Sequence, residues 1–201
     1  MQESDGLTLS YKEIEPDAFF ECIKSSLKHS MINSGLLPTE CFHFSMDETG
    51  MRFVAMEFPS FAADISYEKT IYPAFPLPKL VFTFGVSKDG TIIHRRIGVT
   101  ENKKITLDSK MYVYPFSNVT EFSICIGSNP LPKIKSLTQL AGIPHYIVGM
   151  PNNDDHFSSN KTKLKLDSRA LYEHLKDKDT NYYYSDVLVK MGKTIKDFIN
   201  D

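Results

Sequence analysis

The chain has 201 residues, within the span of one ordinary domain, and its 23 Lys and Arg nearly balance 25 Asp and Glu for a formal charge of -2. That balance excludes electrostatic nucleic-acid binding as the default, and no apolar run approaches the ~20 residues that cross a bilayer. At 41% apolar, with 14 Phe and 10 Tyr, the sequence can build a core and is not disordered.

Glu3 and Asp5 stand where a secretory signal would carry Lys or Arg, and no apolar segment follows, so a cytoplasmic protein is expected. The first element reads as a helix over 16–34. Pro16 suits its first turn, Asp17 and Glu21 suit the positive end of its dipole, and Phe19, Phe20, Ile23, Leu27 and Met31 recur at helical spacing up to Gly35. The period then becomes two. Phe42, Phe44 and Met46 alternate with Cys41, His43 and Ser45, Asp47–Gly50 makes a turn, and 53–58 returns as a second strand. A third strand is expected over 61–67. The prolines between Pro73 and Pro78 read as the strongest break in the chain. Strands over 80–86 and 92–99 flank the Lys88-Asp89-Gly90 turn.

The second half is less regular. Residues 111–114 read as a short extended run, 115–132 as an ordered loop with three prolines, 136–141 as a helical turn and 151–160 as a polar loop. Lys161, Lys163 and Lys165 alternate with Leu164 and Leu166, as on a solvated edge strand. Asp167 can cap a short helix carrying Leu171 and Leu175. Asn181 can cap a last helix with Tyr184, Val187, Met191, Ile195 and Phe198 on one face. Tyr182, Tyr183 and Tyr184 would open that helix, as packing residues or a stacking surface. With no repeat or low-complexity linker, a single domain over 1–201 is expected. The fold class is α+β: an N-terminal helix, an antiparallel meander of four or five strands, a long loop and C-terminal helices.

Three cysteines, Cys22, Cys41 and Cys125, make a poor disulfide framework, and no CxxC or HxxxH spacing begins a zinc site. Cys22 borders the apolar face of the first helix and Cys41 lies on an alternating strand, so both read as packing residues. Cys125 instead lies in the loop Asn118–Gly127. The run Asn152-Asn153-Asp154-Asp155-His156-Phe157 is polar and able to fold over it. His145, His156, Asp154 and Asp155 all lie downstream of the loop; His is the side chain best poised for proton transfer near neutral pH, and His156 is the catalytic candidate among them. His43 and His94 read as ordinary sheet residues.

The segment Tyr72-Pro73-Ala74-Phe75-Pro76-Leu77-Pro78-Lys79-Leu80-Val81-Phe82 resembles the proline-rich turn and strand that precede the active-site loop of ubiquitin-conjugating enzymes. Asn118 followed by Ser123-Ile124-Cys125-Ile126 resembles their active-site stretch. Pro76–Phe82, the hairpin at Asp89-Gly90, 111–119 and Cys125–Gly127 together resemble more closely the prokaryotic ubiquitin-conjugating family D, the PRTRC system protein B group. The likeness is strongest over 70–160. It implies a UBC-like fold and a bacterial transferase in which Cys125 accepts a ubiquitin-like protein as a thioester and passes it to an amine. Asn118 would supply the oxyanion donor, or hold the loop by bonding its own backbone. The implied partners are a ubiquitin-like modifier, a ThiF-type activating enzyme and a JAB-type metallopeptidase, with no cofactor or metal. The run Tyr114-Pro115-Phe116-Ser117-Asn118 lacks the His-Pro-Asn usual in conjugating enzymes. The alternative is therefore a catalytically inactive UBC-like interaction module, and behind it a thiol hydrolase using a nearby His.

Overall fold

In a computed structural model of the protein, the structure describes residues 15–26 and 33–200. The chain divides into two compact units, residues 1–34 and 35–201. In the first, α1 (Pro16–Ser26) opens on Pro16 with Asp17 in its first turn, as expected. It ends earlier than its apolar spacing suggested, because Asn33 and Ser34 are not helical; Leu27 and Met31 lie outside the described residues. Cys22 is exposed, so it is not the packing residue the spacing implied.

The second unit is built on an antiparallel sheet. The strands β1 (Cys41–Met46), β2 (Arg52–Phe58), β3 (Phe61–Tyr67), β4 (Thr70–Leu77), β5 (Leu80–Val86), β6 (Ile92–Thr100) and β7 (Lys110–Tyr112) are followed by the two-residue β8 (Val119–Thr120) and β9 (Ser123–Ile124). After a 3-10 turn over Leu137–Gly142 come α2 (Ile143–Val148), a second 3-10 turn (Ser159–Lys161), α3 (Ser168–Leu175), a π-turn (Tyr183–Val187), β10 (Lys190–Thr194) and α4 (Ile195–Asn200). The main sheet runs β1-β2-β5-β6-β7-β10, with β9 branching from β6 and β8 from β9.

Three expectations are corrected. The strands form no simple meander: β3 and β4 leave the main sheet as a ribbon of their own, and β2 pairs directly with β5 from Arg52↔Val86 to Phe58↔Leu80. The proline-rich stretch is strand as far as Leu77, and the break falls only at Pro78-Lys79, between β4 and β5. Pro73 and Pro76 lie within β4, which pairs among the described residues only with β3, so their missing N–H groups cost no central ladder bond. The single C-terminal helix is instead a π-turn, a strand and one short helix. Gly192, at φ +75, breaks the helical path, and β10 pairs with β7 at Lys190↔Tyr112 and Thr194↔Lys110. The turn at Asp47–Gly50 and the cap of α3 follow the sequence. Asp47 Oδ1 accepts from the Thr49 and Met51 N–H groups, and Asp167 accepts from Ala170 N–H at 2.8 Å.

The central strand β5 is buried almost throughout, because both faces of the sheet are covered. Leu80, Phe82, Phe84 and Val86 face the large core beneath β3, β4, α2 and α3. Val81 faces a smaller one with Met111, Phe122, Ile195 and Phe198. Tyr172 of α3 centres the large core's aromatic cluster, stacked on Tyr67, Tyr72 and Phe116 with ring centroids 5.0, 5.5 and 5.2 Å away. Tyr183 is fully buried and donates its hydroxyl to the Pro76 carbonyl at 2.8 Å. Tyr184 accepts from Lys79 N–H and donates to the Thr100 carbonyl. The tyrosine run is therefore packing. No described helix is long and apolar enough to cross a membrane.

Candidate functional site

The site begins with an anchor. Tyr114 and Phe116 alternate into the core, and Phe116, 3% exposed, stacks on Tyr172 and meets Phe75 and Tyr114 edge-on. Burial pushes the Tyr114 hydroxyl well above the ordinary tyrosine range, so it stays neutral. Ser117 is buried beside them and donates to Asn152 Oδ1 at 3.2 Å.

The chain then turns. Asn118 takes φ +60, a left-handed conformation that Asn tolerates better than most L-residues. Residues 119–124 form the smallest hairpin among the described residues, pairing Val119↔Ile124 and Thr120↔Ser123 around Glu121 at φ +52. Extending that register by one step sets Asn118 opposite Cys125, and Cys125 N–H donates to the Asn118 carbonyl at 2.8 Å. Seven positions apart in sequence, the two are cross-strand neighbours. The hairpin is fixed to the sheet where Arg96 pairs with Ser123 and Ile97 N–H donates to the Phe122 carbonyl at 2.9 Å. Gly127, at φ +54, then turns the chain away.

Cys125 is exposed, whereas Cys41 is partly buried and its thiol is pushed up by burial. Beside Cys125 lies a cleft of about 110 Å³ lined by Asn118, Gly127, Met150, Pro151, Asn153 and Asp155, among others. The loop after α2 forms its far wall, as the polar run 152–157 suggested, and it is stitched to the Cys125 hairpin. Asn118 N–H donates to the Asp155 carbonyl at 2.8 Å, and the Asn118 side-chain amide reaches the Pro151 carbonyl at 3.4 Å. The loop's own shape comes from Asn153 Nδ2 donating to Asp155 Oδ2 at 2.7 Å and Asp155 N–H donating to Asn153 Oδ1 at 2.9 Å. Asn152 ties it to β3 by exchanging backbone bonds with Ser66 and Glu68.

The candidate residues separate here. Cys125 and Asn118 share the cleft, and Asp155 lines it as well. His156 is not among the residues that line it; its Nδ1 pairs with Thr120 Oγ1 at 3.0 Å, joining the loop to β8. Asp154 accepts from the Tyr67 hydroxyl at 2.8 Å, and His145 packs edge-on against Phe58 and Phe61. The alternating lysines are not a solvated edge strand. Lys161 closes a 3-10 turn and turns its ammonium inward onto the Phe116 and Val119 carbonyls. The pairing of Ser117 with Asn152 is not legible in the sequence, because the bond spans 35 residues. No group of three or more His, Cys, Asp or Glu is placed to hold a metal ion among the described residues.

A family model, Prokaryotic E2 family D, matches residues 24–191, and the whole site falls within that match. No curated protein and no solved structure matches the chain.

Proposed function

The chain belongs to prokaryotic E2 family D, and from that premise we propose that it carries a ubiquitin-like protein as a thioester on Cys125 and delivers it to an amine. The observation that carries the reading is the cross-strand placement of Asn118 beside an exposed Cys125, both opening on one cleft. In the first half-reaction the Cys125 thiolate attacks the modifier's C-terminal carbonyl, activated as a thioester on a ThiF-type enzyme. The new S–C bond forms, the carbonyl oxygen takes the negative charge, and the activating enzyme's thiolate leaves. Asn118 Nδ2 holds its present acceptor, the Pro151 carbonyl, at the long distance of 3.4 Å, so it can exchange that bond for the oxyanion.

In the second half-reaction a neutral amine attacks the thioester. The N–C bond forms, the C–S bond breaks with its electron pair going to Cys125 sulfur, and the amine's surplus proton leaves through a carboxylate or water. Asp155 is the carboxylate on the cleft wall, and it would take the surplus proton from the nitrogen of the adduct as the C–S bond breaks. His156 acts at one remove, holding the loop that carries Asp155 through its bond to Thr120.

The test is to combine the protein with a ThiF-type activating enzyme and ubiquitin-like protein of the same system and ATP. A reductant-sensitive adduct is expected, lost in Cys125→Ala. No adduct, or one that survives Cys125→Ala, refutes the reading. One observation favours the inactive module instead: the Asn118 amide already has a protein acceptor. That reading requires partner binding to persist in Cys125→Ala with no adduct from the wild type.

A further inference from the structure

Asn118 stands in a left-handed turn between two carbonyls that no strand pairs. In the short hairpin, the bond between Cys125 N–H and the Asn118 carbonyl makes 118 and 125 a hydrogen-bonded pair. Antiparallel pairs alternate, so the carbonyl of the next residue, Val119, points away from β9. Val119 itself is buried, and a buried carbonyl needs a donor. On the other side of Asn118, Phe116 is locked in the aromatic core and its carbonyl also lacks a ladder partner.

One side chain answers both. Lys161 Nζ donates to the Val119 carbonyl at 2.7 Å and to the Phe116 carbonyl at 3.1 Å. Its own backbone is fixed on three counts. Lys161 N–H donates to the Ser158 carbonyl, the next residue Thr162 is buried and bridged to Leu188, and Lys163 N–H donates to the Val187 carbonyl. The ammonium therefore projects from a fixed post into the concave side of the turn.

We propose that Lys161 is the positioning residue of the Cys125 site: its ammonium grips the backbone on both sides of Asn118 and holds that residue's amide in reach of the oxyanion. Lys161 touches neither thioester nor acceptor and acts only through Asn118, so the inference rests on the reading of Asn118 and Cys125 given above. A three-donor ammonium suits the task, because two carbonyls must be gripped at once and a charge-assisted bond is stronger than a neutral one. Burial draws its pKa down to about 8, in keeping with an ammonium taken out of water to serve backbone acceptors.

The test has an arm that needs no activity. Amide hydrogen exchange at Asn118 and Cys125, whose N–H groups report the turn, is expected to quicken about tenfold or more in Lys161→Met, with β5 and β6 unchanged. Lys161→Arg, which keeps a cation with N–H donors enough for both carbonyls, is expected to recover at least half of the protection. In the activity arm, thioester formation falls about tenfold in Lys161→Met while alkylation of Cys125 by iodoacetamide stays within about twofold. Adding Lys161→Met to Asn118→Gly then brings no further fall, since the amide to be positioned is gone. Unchanged exchange in Lys161→Met overturns the proposal, as does full additivity with Asn118→Gly or an equal fall in alkylation. If Lys161→Met fails to fold, Lys161→Gln, which keeps one donor group, takes its place with an intermediate effect expected. If the wild type forms no adduct, the thioester reading fails while the exchange arm still decides whether Lys161 grips the turn.

Discussion

The central sheet and the Cys125 hairpin are both antiparallel, yet opposite forces hold them. Strands β2, β5 and β6 pair over six or more residues and bury side chains on both faces, so the backbone ladder and apolar burial do the holding. The hairpin pairs two residues on each side, passes through left-handed residues at Asn118 and Glu121, and depends on single side chains reaching its carbonyls. The first arrangement is redundant, and the second is set by a few polar bonds that each fix one atom. Substitutions in the sheet should therefore register as stability, and substitutions around the hairpin as activity.

The largest effect should come from the sheet. Phe82 is fully buried at the centre of β5, and Phe82→Ala is expected to cost about 3–5 kcal/mol in denaturant unfolding. A cost under about 1 kcal/mol would erase the contrast between the two regions. Next, Asn118→Gly keeps a residue at ease with φ +60 but removes the amide. Thioester formation should fall by about 10²–10³-fold, with unfolding free energy within about 1 kcal/mol of wild type. A fall in stability without a fall in rate would reverse the assignment. Asp155→Asn keeps the loop's hydrogen-bonding shape but not its charge; transfer to an amine should slow by about 10²-fold while charging of Cys125 is nearly unchanged, which single-turnover discharge would show.

The smallest effect is on pH dependence. Lys161 titrates near 8 in the folded protein and near its ordinary 10.5 when unfolded. Below 8 both states hold the proton, and the folded state bears the full penalty of burying the charge. Between about 8 and 10.5 the unfolded state binds more proton, so this residue's contribution raises stability with pH across that window. Lys161→Met should flatten that rise in unfolding experiments stepped through the same range. An unaltered slope would mean that the ammonium is not desolvated in the folded state.

The contrast also explains what the sequence disclosed. Strands with long ladders announce themselves by alternation, so β1, β2, β5 and β6 stood where Phe44, Val54, Phe82 and Ile97 implied. Local hydrogen bonds were equally legible: Asp47 in its turn and Asp167 at its cap act on residues two to four positions away. What failed was decided at long range. Tyr184, Val187, Met191, Ile195 and Phe198 have helical spacing, but pairing of β10 with β7 and the conformation of Gly192 override it. The lysine alternation after Asn160 looked solvated because nothing local reveals two unpaired carbonyls more than 40 residues upstream. At the site, Cys125 and Asn118 were visible as a pair in one loop. That Asp155 and not His156 lines the cleft depends on how a ten-residue loop closes, which spacing does not encode.

The prolines of β4 have a further consequence, one of solubility. A two-stranded ribbon at the margin of a fold presents a row of donors and acceptors to any passing strand. Here Pro73 and Pro76 offer no donor, and the Pro76 carbonyl already receives the Tyr183 hydroxyl. A strand arriving from a second molecule would find gaps where it needs partners, so the ribbon makes a poor template for intermolecular sheet growth. The stretch that reads in sequence as a break in the chain is therefore expected to disfavour sheet growth along β4.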